Sequence, residues 1–495
     1  MEALATRHGA AVPPRRDEEL EARLELELPA QLAIGLGNAV FVYGSCFHRR
    51  RRVTDLRILA EGRSIAPMAH GMPRLDLYRR HPGAYRSAFW GIIPLAPSQA
   101  GRVVELSVAA TLDDGREAVA DLARLELDPA AEPGGEPRYG DRGRVAICMA
   151  TYNPPPDLFR RQVSSIRNQT HAGWVCVISD DHSDPARFSD MKEVLADDSR
   201  FWVSRAPERL GFYRNFERAL SMAPADAAYV ALADQDDRWD PDKLEMLVRE
   251  LGKAQLVYSD ARVVAANGAQ ISDTYWSRRR PNHSNLASLL ISNTITGAAS
   301  LFRRSLLDRV LPFPPQLGTQ WHDHWIALVA LASGRVAYVD RALYDYVQHP
   351  GAVVGHTVAN PRRHRRTTAE RVAMLREDWR AAFGGWCWKY FYGVCRVLLL
   401  ARVLELRCGN ELRGSKRRAL RSFAAIDRSP LGYAWLWSRR VRRLVGLNET
   451  LGEERLFLHG LAWRRIISLL TWHRRRPPAK LQKDASLPRE WPRTR

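Results

Sequence analysis

Short apolar strands alternate with helical segments between residues 145 and 234, and this alternation restricts the fold more than any other feature. Helical periodicity over residues 155–168 and 212–222 lies between the apolar runs. Four runs carry the strand signal: Val145–Met149, Trp174–Ile178, Phe201–Val203 and Ala228–Ala233. Strand and helix units in succession predict a mostly parallel sheet with helices on both faces. Ligands of such sheets bind at the carboxyl ends of the strands.

Acidic residues follow two of these strand ends. Asp180 and Asp181 come after the second run, and Asp234 and Asp236 come after the fourth. A carboxylate at a strand end can accept hydrogen bonds from a nucleoside, and an Asp-x-Asp pair suits Mg²⁺ or Mn²⁺ that carries a diphosphate. The alternatives are a solvated acidic turn with a helix cap for the second pair and an Asx-turn for the first. Acidic groups at two ends of one sheet favour a binding site.

Asp323 lies between His322 and His324 at the start of an apolar helical run, Ile326–Ala332. A carboxylate placed there could act as a general base toward an acceptor hydroxyl. His-x-His could instead bind a metal, although a third ligand at suitable spacing is absent. Asp323 could also interact only with the helix dipole. Its position alone does not decide between these hypotheses.

Eight sequence segments occur in order over some 210 residues: Ala146–Pro154, Ser165–Thr170, Ile178–Asp184, Gly211–Phe216, Ala233–Trp239, Asn293–Gly297, His322–Asp323 and Tyr346–His349. Together they make residues 144 to about 356 resemble the family 2 inverting glycosyltransferases, and specifically their rhamnosyltransferase-like branch. The resemblance implies an α/β catalytic domain with the Rossmann-like GT-A fold. It also implies transfer of a sugar, with rhamnose favoured, from a nucleoside-diphosphate donor to a growing surface polysaccharide or a lipid-linked glycan.

The resemblance gives each matching residue a role, with Mg²⁺ or Mn²⁺ as the cofactor. Asp323 matches the catalytic base, and the acceptor side comprises Thr296, Gly297, Trp321 and His322. The metal ligands are Asp234, Asp236 and His349. Nucleotide-sugar binding falls to Thr151, Tyr152, Asn153, Asp180, Asp181, Arg214, Asn215 and Asp234. In an inverting reaction the acceptor oxygen attacks the anomeric carbon directly, so one base is sufficient and no covalent nucleophile is needed.

Composition shifts along the chain predict further regions. We expect a flexible charged lead-in over residues 1–30 and a linker rich in Pro, Gly and acid over residues 128–141. Short apolar runs divided by Gly and Asp turns over residues 31–127 indicate an accessory β-sandwich. The catalytic domain is expected over residues 142–358, and a helical basic region over residues 359–495.

The net charge lies almost wholly at the C-terminus, where residues 361–495 hold 32 Lys and Arg against 11 Asp and Glu. Interleaved Arg and Trp predict attachment to the anionic inner face of the cell membrane. Attachment is expected to be peripheral, because three basic residues interrupt the apolar stretch 386–404, which is read as an amphipathic or buried helix. A nucleic-acid-binding protein is the alternative, although the carboxylate sites would repel a polyanion. Six cysteines without a C-x-x-C pair favour a cytoplasmic location.

Overall fold

The computed structural model describes residues 16–129, 143–196, 198–277, 279–349 and 379–471. Half of the predicted lead-in, nearly all of the predicted linker and the predicted boundary at residue 358 lie outside these ranges. The other half of the lead-in differs from expectation, because Leu20–Leu24 forms a strand paired with Gly44–His48.

Two sheets within residues 16–129 enclose a common core. One sheet has the order β1 (Leu20–Leu24), β3 (Asn38–His48), β7 (Ala88–Leu95), β6 (Ala69–Met72). The other has the order β2 (Gln31–Ala33), β9 (Glu117–Asp128), β8 (Val103–Leu112), β4 (Val53–Ala60), β5 (Arg63–Ile65). Side chains alternate across a strand, so Val40 and Val42 of β3 face the core between the sheets, whereas Phe41 and Tyr43 pack into a second core. This explains why β3 is apolar throughout.

A nine-stranded sheet forms the centre of the molecule. Its order is β12 (Phe201–Arg205), β11 (Trp174–Asp180), β10 (Val145–Thr151), β13 (Tyr229–Ala233), β17 (Ser300–Arg303), β15 (Leu256–Ala265), β18 (Val336–Gln348), β14 (Arg238–Trp239), with β16 (Gln270–Ser272) paired to β15. The strands β10 to β13 pair in parallel, as the four apolar runs predict. Beyond β13 the sheet is mixed: β17 runs antiparallel to both of its neighbours, whereas β15 and β18 pair in parallel.

Thirteen α-helices are present in the described residues. They are α1 (Leu75–Tyr78), α2 (Pro156–Arg167), α3 (Pro185–Leu195), α4 (Phe212–Ser221), α5 (Lys243–Leu251), α6 (Leu286–Ile291), α7 (Leu307–Val310), α8 (His322–Ser333), α9 (Trp379–Trp388), α10 (Arg396–Cys408), α11 (Gly414–Ala424), α12 (Pro430–Ser438) and α13 (Glu454–Thr471). Proline opens α2, α3 and α12, where the first turn has no use for its missing N–H. A π-helical segment, Lys389–Cys395, joins α9 to α10.

The helices after residue 379 contact both preceding regions. Trp90 of β7 donates from Nε1 to the hydroxyl of Tyr390 over 3.1 Å. The buried Arg407 donates to Gly37 O over 2.7 Å and to Val310 O over 3.1 Å. One apolar core therefore runs from β3 and β7 through the C-terminal helices into the central sheet.

This packing changes the interpretation of the C-terminal region. The stretch 386–404 lies within α9, the π-helical segment and α10 and is largely buried, which confirms the buried-helix prediction. Tyr390 and Trp463 are fully buried, so they cannot form part of a membrane or nucleic-acid surface as the pattern of aromatic and basic residues predicts. In the described part of the chain, no helix has both the length and the apolar character needed to cross a bilayer.

Candidate active site

The ends of β10 and β11 are joined by a buried polar network. Thr151 donates from Oγ1 to Asp180 over 3.2 Å, and the backbone N–H of Ser183 donates to Asp180 over 3.0 Å. The Ser183 hydroxyl and the nearby Arg205 also contact this carboxylate. Asp180 is therefore held by the protein itself and fixes the shape of both strand ends.

Tyr152 and Asn153 form the loop after β10. Gln235 holds this loop through both sides of its amide, by accepting from Tyr152 N over 2.8 Å and donating to Tyr152 O over 3.2 Å. Asn153 adopts a φ of 43°, a left-handed conformation that Asn tolerates better than most residues. The guanidinium of Arg209 lies 4.0 Å from the centre of the Tyr152 ring. The Tyr152 ring and the Arg209 guanidinium thus lie together at the loop that is predicted to bind the nucleoside.

Two further predicted nucleotide-binding residues, Asp181 and Asn215, make contacts within the protein. The Asp181 carboxylate accepts from Gly211 N over 3.0 Å and from Leu210 N. Asn215 donates to Ser179 O over 2.9 Å and accepts from the Ser179 hydroxyl over 2.6 Å. Both residues tie the start of α4 to the end of β11.

Arg214 lies on α4, with its guanidinium paired to Glu217 one turn further along. The roles of Arg214, Asp181 and Asn215 toward a nucleotide remain predictions.

An acidic cluster follows β13. Asp236 Oδ2 lies 2.7 Å from His349 Nε2, so two residues 113 positions apart meet as the resemblance implies. This hydrogen bond raises the pKa of His349. Burial, together with the charges of Asp236 and Asp323, raises the pKa of Asp234. The described residues contain no group of three or more His, Cys, Asp and Glu side chains arranged to hold a metal on their own.

Lys243 lies near this cluster and was not predicted from the sequence as a site residue. Lys243, the first residue of α5, is fully buried, and its Nζ lies 3.7 Å from the centre of the Trp239 ring and donates to Ala298 O. Burial lowers the pKa of Lys243 to about 7, against the opposing effect of Asp237 and Asp234. Asp237 is also buried; Val347 N donates to its Oδ1 over 3.2 Å. A buried cation thus lies within the electrostatic field of the acidic cluster.

Asp323 occupies the first turn of α8, near Asp234. His324 N donates to Asp323 Oδ1 over 2.6 Å, and the backbone N–H of Gly297 and the side chain of Asn293 also donate to this carboxylate. Burial raises the pKa of Asp323 to about 6, although these hydrogen bonds act in the opposite direction. The carboxylate is therefore positioned on several sides and takes up a proton more readily than an exposed aspartate.

The aromatic and histidine side chains around Asp323 pack against other residues of the protein. His324 is buried with Nε2 2.7 Å from Leu289 O, so it packs in the core and the alternative of a His-x-His metal site is wrong. The His322 ring stacks on Phe216 at 3.6 Å, and Trp321 packs on Phe212.

Gly297 lies directly against this turn, with Thr296 preceding it. A Cβ at Gly297 would lie 2.8 Å from His322 Nε2 and 3.5 Å from Asp323 Cβ. Only a glycine allows this approach, because any side chain would push the backbone that donates to Asp323 away from it.

Comparison with known proteins shows what the central region is similar to. Residues 146–311 match the family model described as Glycosyl transferase family 2. The match spans β10 to α7 and so includes the polar network, the acidic cluster and Gly297, while Asp323 and His349 follow it.

Individual relatives match this domain over part of their length. The chain is 24% identical over 226 residues to the uncharacterized protein y4gI of Sinorhizobium fredii, covering 44% of this chain and 24% of that protein. It is 30% identical over 126 residues to the Escherichia coli UDP-Glc:alpha-D-GlcNAc-diphosphoundecaprenol beta-1,3-glucosyltransferase WfgD, covering 25% of this chain and 47% of that protein. The chain spans less than half the length of both relatives.

Among solved structures, the chain is similar to residues 1–349 of TarS from S. aureus in complex with UDP-GlcNAc. The identity is 16%, the TM-score is 0.36, and the alignment covers 58% of this chain and 91% of that chain.

Proposed function

We propose that this protein is an inverting, metal-dependent glycosyltransferase that uses a nucleoside-diphosphate sugar. The observation that carries the proposal is the convergence of Asp234, the Asp236–His349 pair and the buried Asp323 within a family 2 glycosyltransferase domain. A sugar donor bound at Asp234 and the Asp236–His349 pair would present its anomeric carbon toward an acceptor next to Asp323.

Asp234 and Asp236, with His349 beside them, would hold Mg²⁺ or Mn²⁺. The residues fit a hard cation, because carboxylate oxygens are its preferred ligands, and burial together with the neighbouring charges of Asp236 and Asp323 raises the pKa of Asp234. The remaining ligand positions are left to the donor diphosphate and to water. When bound, the cation would neutralise the negative charge that develops on the leaving diphosphate.

Asp323 would accept the proton of the attacking acceptor hydroxyl. The Gly297 N–H and the Asn293 side chain orient its carboxylate, and its raised pKa makes it a stronger base than an ordinary aspartate. The acceptor oxygen then bonds to the anomeric carbon as the bond to the diphosphate breaks on the opposite face. Inversion of configuration follows from this single displacement.

The pH dependence of transfer should report on Asp323. Only the ionised carboxylate can accept a proton, and its pKa is raised to about 6. We therefore expect kcat/KM to fall about tenfold per pH unit below pH 6 and to level off above it. Initial rates between pH 4.5 and 8 at saturating Mn²⁺ measure this limb. A flat profile down to pH 4.5 would contradict the assignment.

The finer identity of the substrates is also proposed. We favour a rhamnose donor, on the resemblance of the eight segments to the rhamnosyltransferase-like branch. A lipid-linked acceptor in the synthesis of a surface polysaccharide is supported by WfgD, whose name specifies a diphosphoundecaprenol acceptor. Such an acceptor would place the enzyme peripherally at the inner face of the cell membrane.

A panel of nucleotide sugars tests the donor assignment. Purified full-length protein is heated with Mn²⁺ and each of dTDP-rhamnose, UDP-glucose, UDP-galactofuranose, UDP-GlcNAc and GDP-mannose. A donor at 100 times its dissociation constant should stabilise the fold by about 2.7 kcal/mol, which is enough to rank the candidates. We expect at least one donor to raise the melting temperature only when Mn²⁺ is present. No shift with any donor would contradict the proposed function.

A further inference from the structure

Exposed apolar side chains are concentrated in the C-terminal helices. Twelve of the fifteen large apolar residues that are exposed in the described part of the chain lie between residues 388 and 470. Five of them lie within fifteen residues, and we call these the 431–445 face: Leu431 (82% exposed), Trp437 (53%), Val441 (50%), Leu444 (83%) and Val445 (70%). Such a patch marks an interaction surface.

The five side chains of the 431–445 face belong to a helical segment that also packs against the rest of the protein. It occupies α12 and the 3₁₀ segment Arg439–Val445 that continues it. Residues three apart lie on the same side of a 3₁₀ helix, so Val441 and Leu444 share one side of the segment Arg439–Val445. Leu436 of α12 is fully buried. The exposed side chains therefore project from a fixed support.

The segment that carries this face is basic. Residues 428–448 contain five arginines and no acidic residue. Arg440 is exposed, whereas Arg439 and Arg442 point back to the protein and contact Ser288 and Glu449. Arg428, like Arg440, is exposed, so apolar side chains and cations share this surface. Such a combination matches the boundary between acyl chains and anionic headgroups, where both groups are satisfied. A nucleic acid would gain nothing from exposed leucines.

The same segment is joined to the acceptor side of the catalytic domain. Ser288 of α6 donates to Glu449 over 3.2 Å, and Arg280 N donates to Asn448 over 3.2 Å. Two residues after α6 ends, Asn293 donates to Asp323. Asn448 and Glu449 follow the 431–445 face directly, so one short helix separates their contacts from the carboxylate proposed as the base.

We propose that the 431–445 face inserts into the interfacial region of an anionic bilayer and turns the acceptor side of the active site toward it. The second part rests on the proposed function, whereas the first stands on the exposed side chains and charge alone. The net charge of the C-terminal region does not show which of its residues contact a membrane, whereas the 431–445 face specifies them.

Vesicle co-sedimentation of the full-length protein tests the insertion. The double variant Leu444→Ser with Val445→Ser should bind vesicles of 30% phosphatidylglycerol in phosphatidylcholine at least tenfold more weakly than the wild type. The control double variant Leu36→Ser with Trp202→Ser changes two side chains that are also exposed, at 45% and 57%, but lie outside the face, and should bind like the wild type. Arg440→Gln should weaken binding to the anionic vesicles and leave the weak binding to pure phosphatidylcholine unchanged.

Other outcomes would overturn the proposal. Equal binding of both double variants and the wild type would place the contact elsewhere, including in the basic residues outside the described ranges. Loss of a dimer on size exclusion in the Leu444→Ser, Val445→Ser variant, without loss of vesicle binding, would assign the face to a second copy of the chain. The sedimentation assay contains no donor, so failure of the glycosyltransferase proposal in the thermal-shift panel would leave its result intact.

Hydrogen exchange tests the orientation. With anionic vesicles, backbone exchange should slow at least threefold over residues 431–449 and residues 280–292, and should not change in α3, residues 185–195. Slowing at α3 without slowing at residues 280–292 would contradict the proposed orientation.

Discussion

Replacing Asp323 with Asn should reduce turnover by a factor of 10² to 10⁴ while leaving donor affinity within about twofold of the wild type. The amide has the same shape and can still accept a hydrogen bond from His324 N, but it cannot take a proton from the acceptor. Steady-state rates measure the loss, and titration calorimetry with Mn²⁺ and the best donor of the panel measures the affinity.

The residual activity of the same variant provides an internal control. With the carboxylate gone, its rate should no longer fall below pH 6 as the wild-type rate does. Asp340→Asn removes an exposed carboxylate of β18 and should keep both the wild-type rate and the acid limb. If Asp323→Asn turns over at the wild-type rate, the base is another residue.

Replacing Asp236 with Ala should abolish the effect of the divalent cation on donor binding. The wild type should bind donor at least tenfold more tightly with Mn²⁺ than with a chelator, because a cation screens the diphosphate from the acidic cluster. The variant should bind weakly and equally under both conditions. Calorimetry in the two buffers measures the difference.

Asp242→Ala is the matched control for this prediction. Asp242 immediately precedes α5 and pairs with Arg341 on the surface, so its removal takes away one negative charge near the domain but outside the cluster. It should retain the full cation dependence. Equal donor affinity of the wild type with and without chelator would rule out the proposed metal dependence.

The sequence predicted the first half of the central sheet because its residues follow simple patterns. The run Val145–Met149 is apolar on both sides of the strand, as a strand covered by helices on both faces must be, and it lies within β10. The later strands gave no such signal. The thirteen residues of β18 show no regular alternation of buried and exposed positions, and the strand pairs on its two sides with strands of opposite direction, so its place depends on tertiary contacts.

The site was predictable where chemistry requires a residue type and unpredictable where a residue acts through burial. Asp234, Asp236 and Asp323 could be predicted as site residues because carboxylates after strands and at helix starts suit cations and proton transfer. Lys243 was missed because lysine is rarely buried, and nothing in the sequence around it distinguishes it from a surface lysine at the start of a helix. The contacts of Lys243 are with Trp239 and Ala298, which only the fold brings near it.

The C-terminal region shows the limit of composition as a guide. Aromatic and basic residues interleave there, yet Tyr390 and Trp463 are core residues, whereas Trp437 is exposed. Amino-acid composition does not distinguish the two buried residues from the exposed one. Only the packing of the helices determines which of them is exposed at the protein surface.

The bridging position of the C-terminal helices bears on how the protein is made. Phe41 and Trp90 near the start of the chain pack against Phe391, about three hundred residues later, and Arg407 satisfies the carbonyl of Gly37. During synthesis the chain emerges from its N-terminus at about 5–20 residues per second. The apolar face of β3 and β7 therefore stays uncovered for at least some 15 seconds of synthesis, until the helices that cover it have been translated. The nascent chain is thus exposed to aggregation and to chaperones for that interval, and a ribosome that stops before α10 releases a product with this face uncovered.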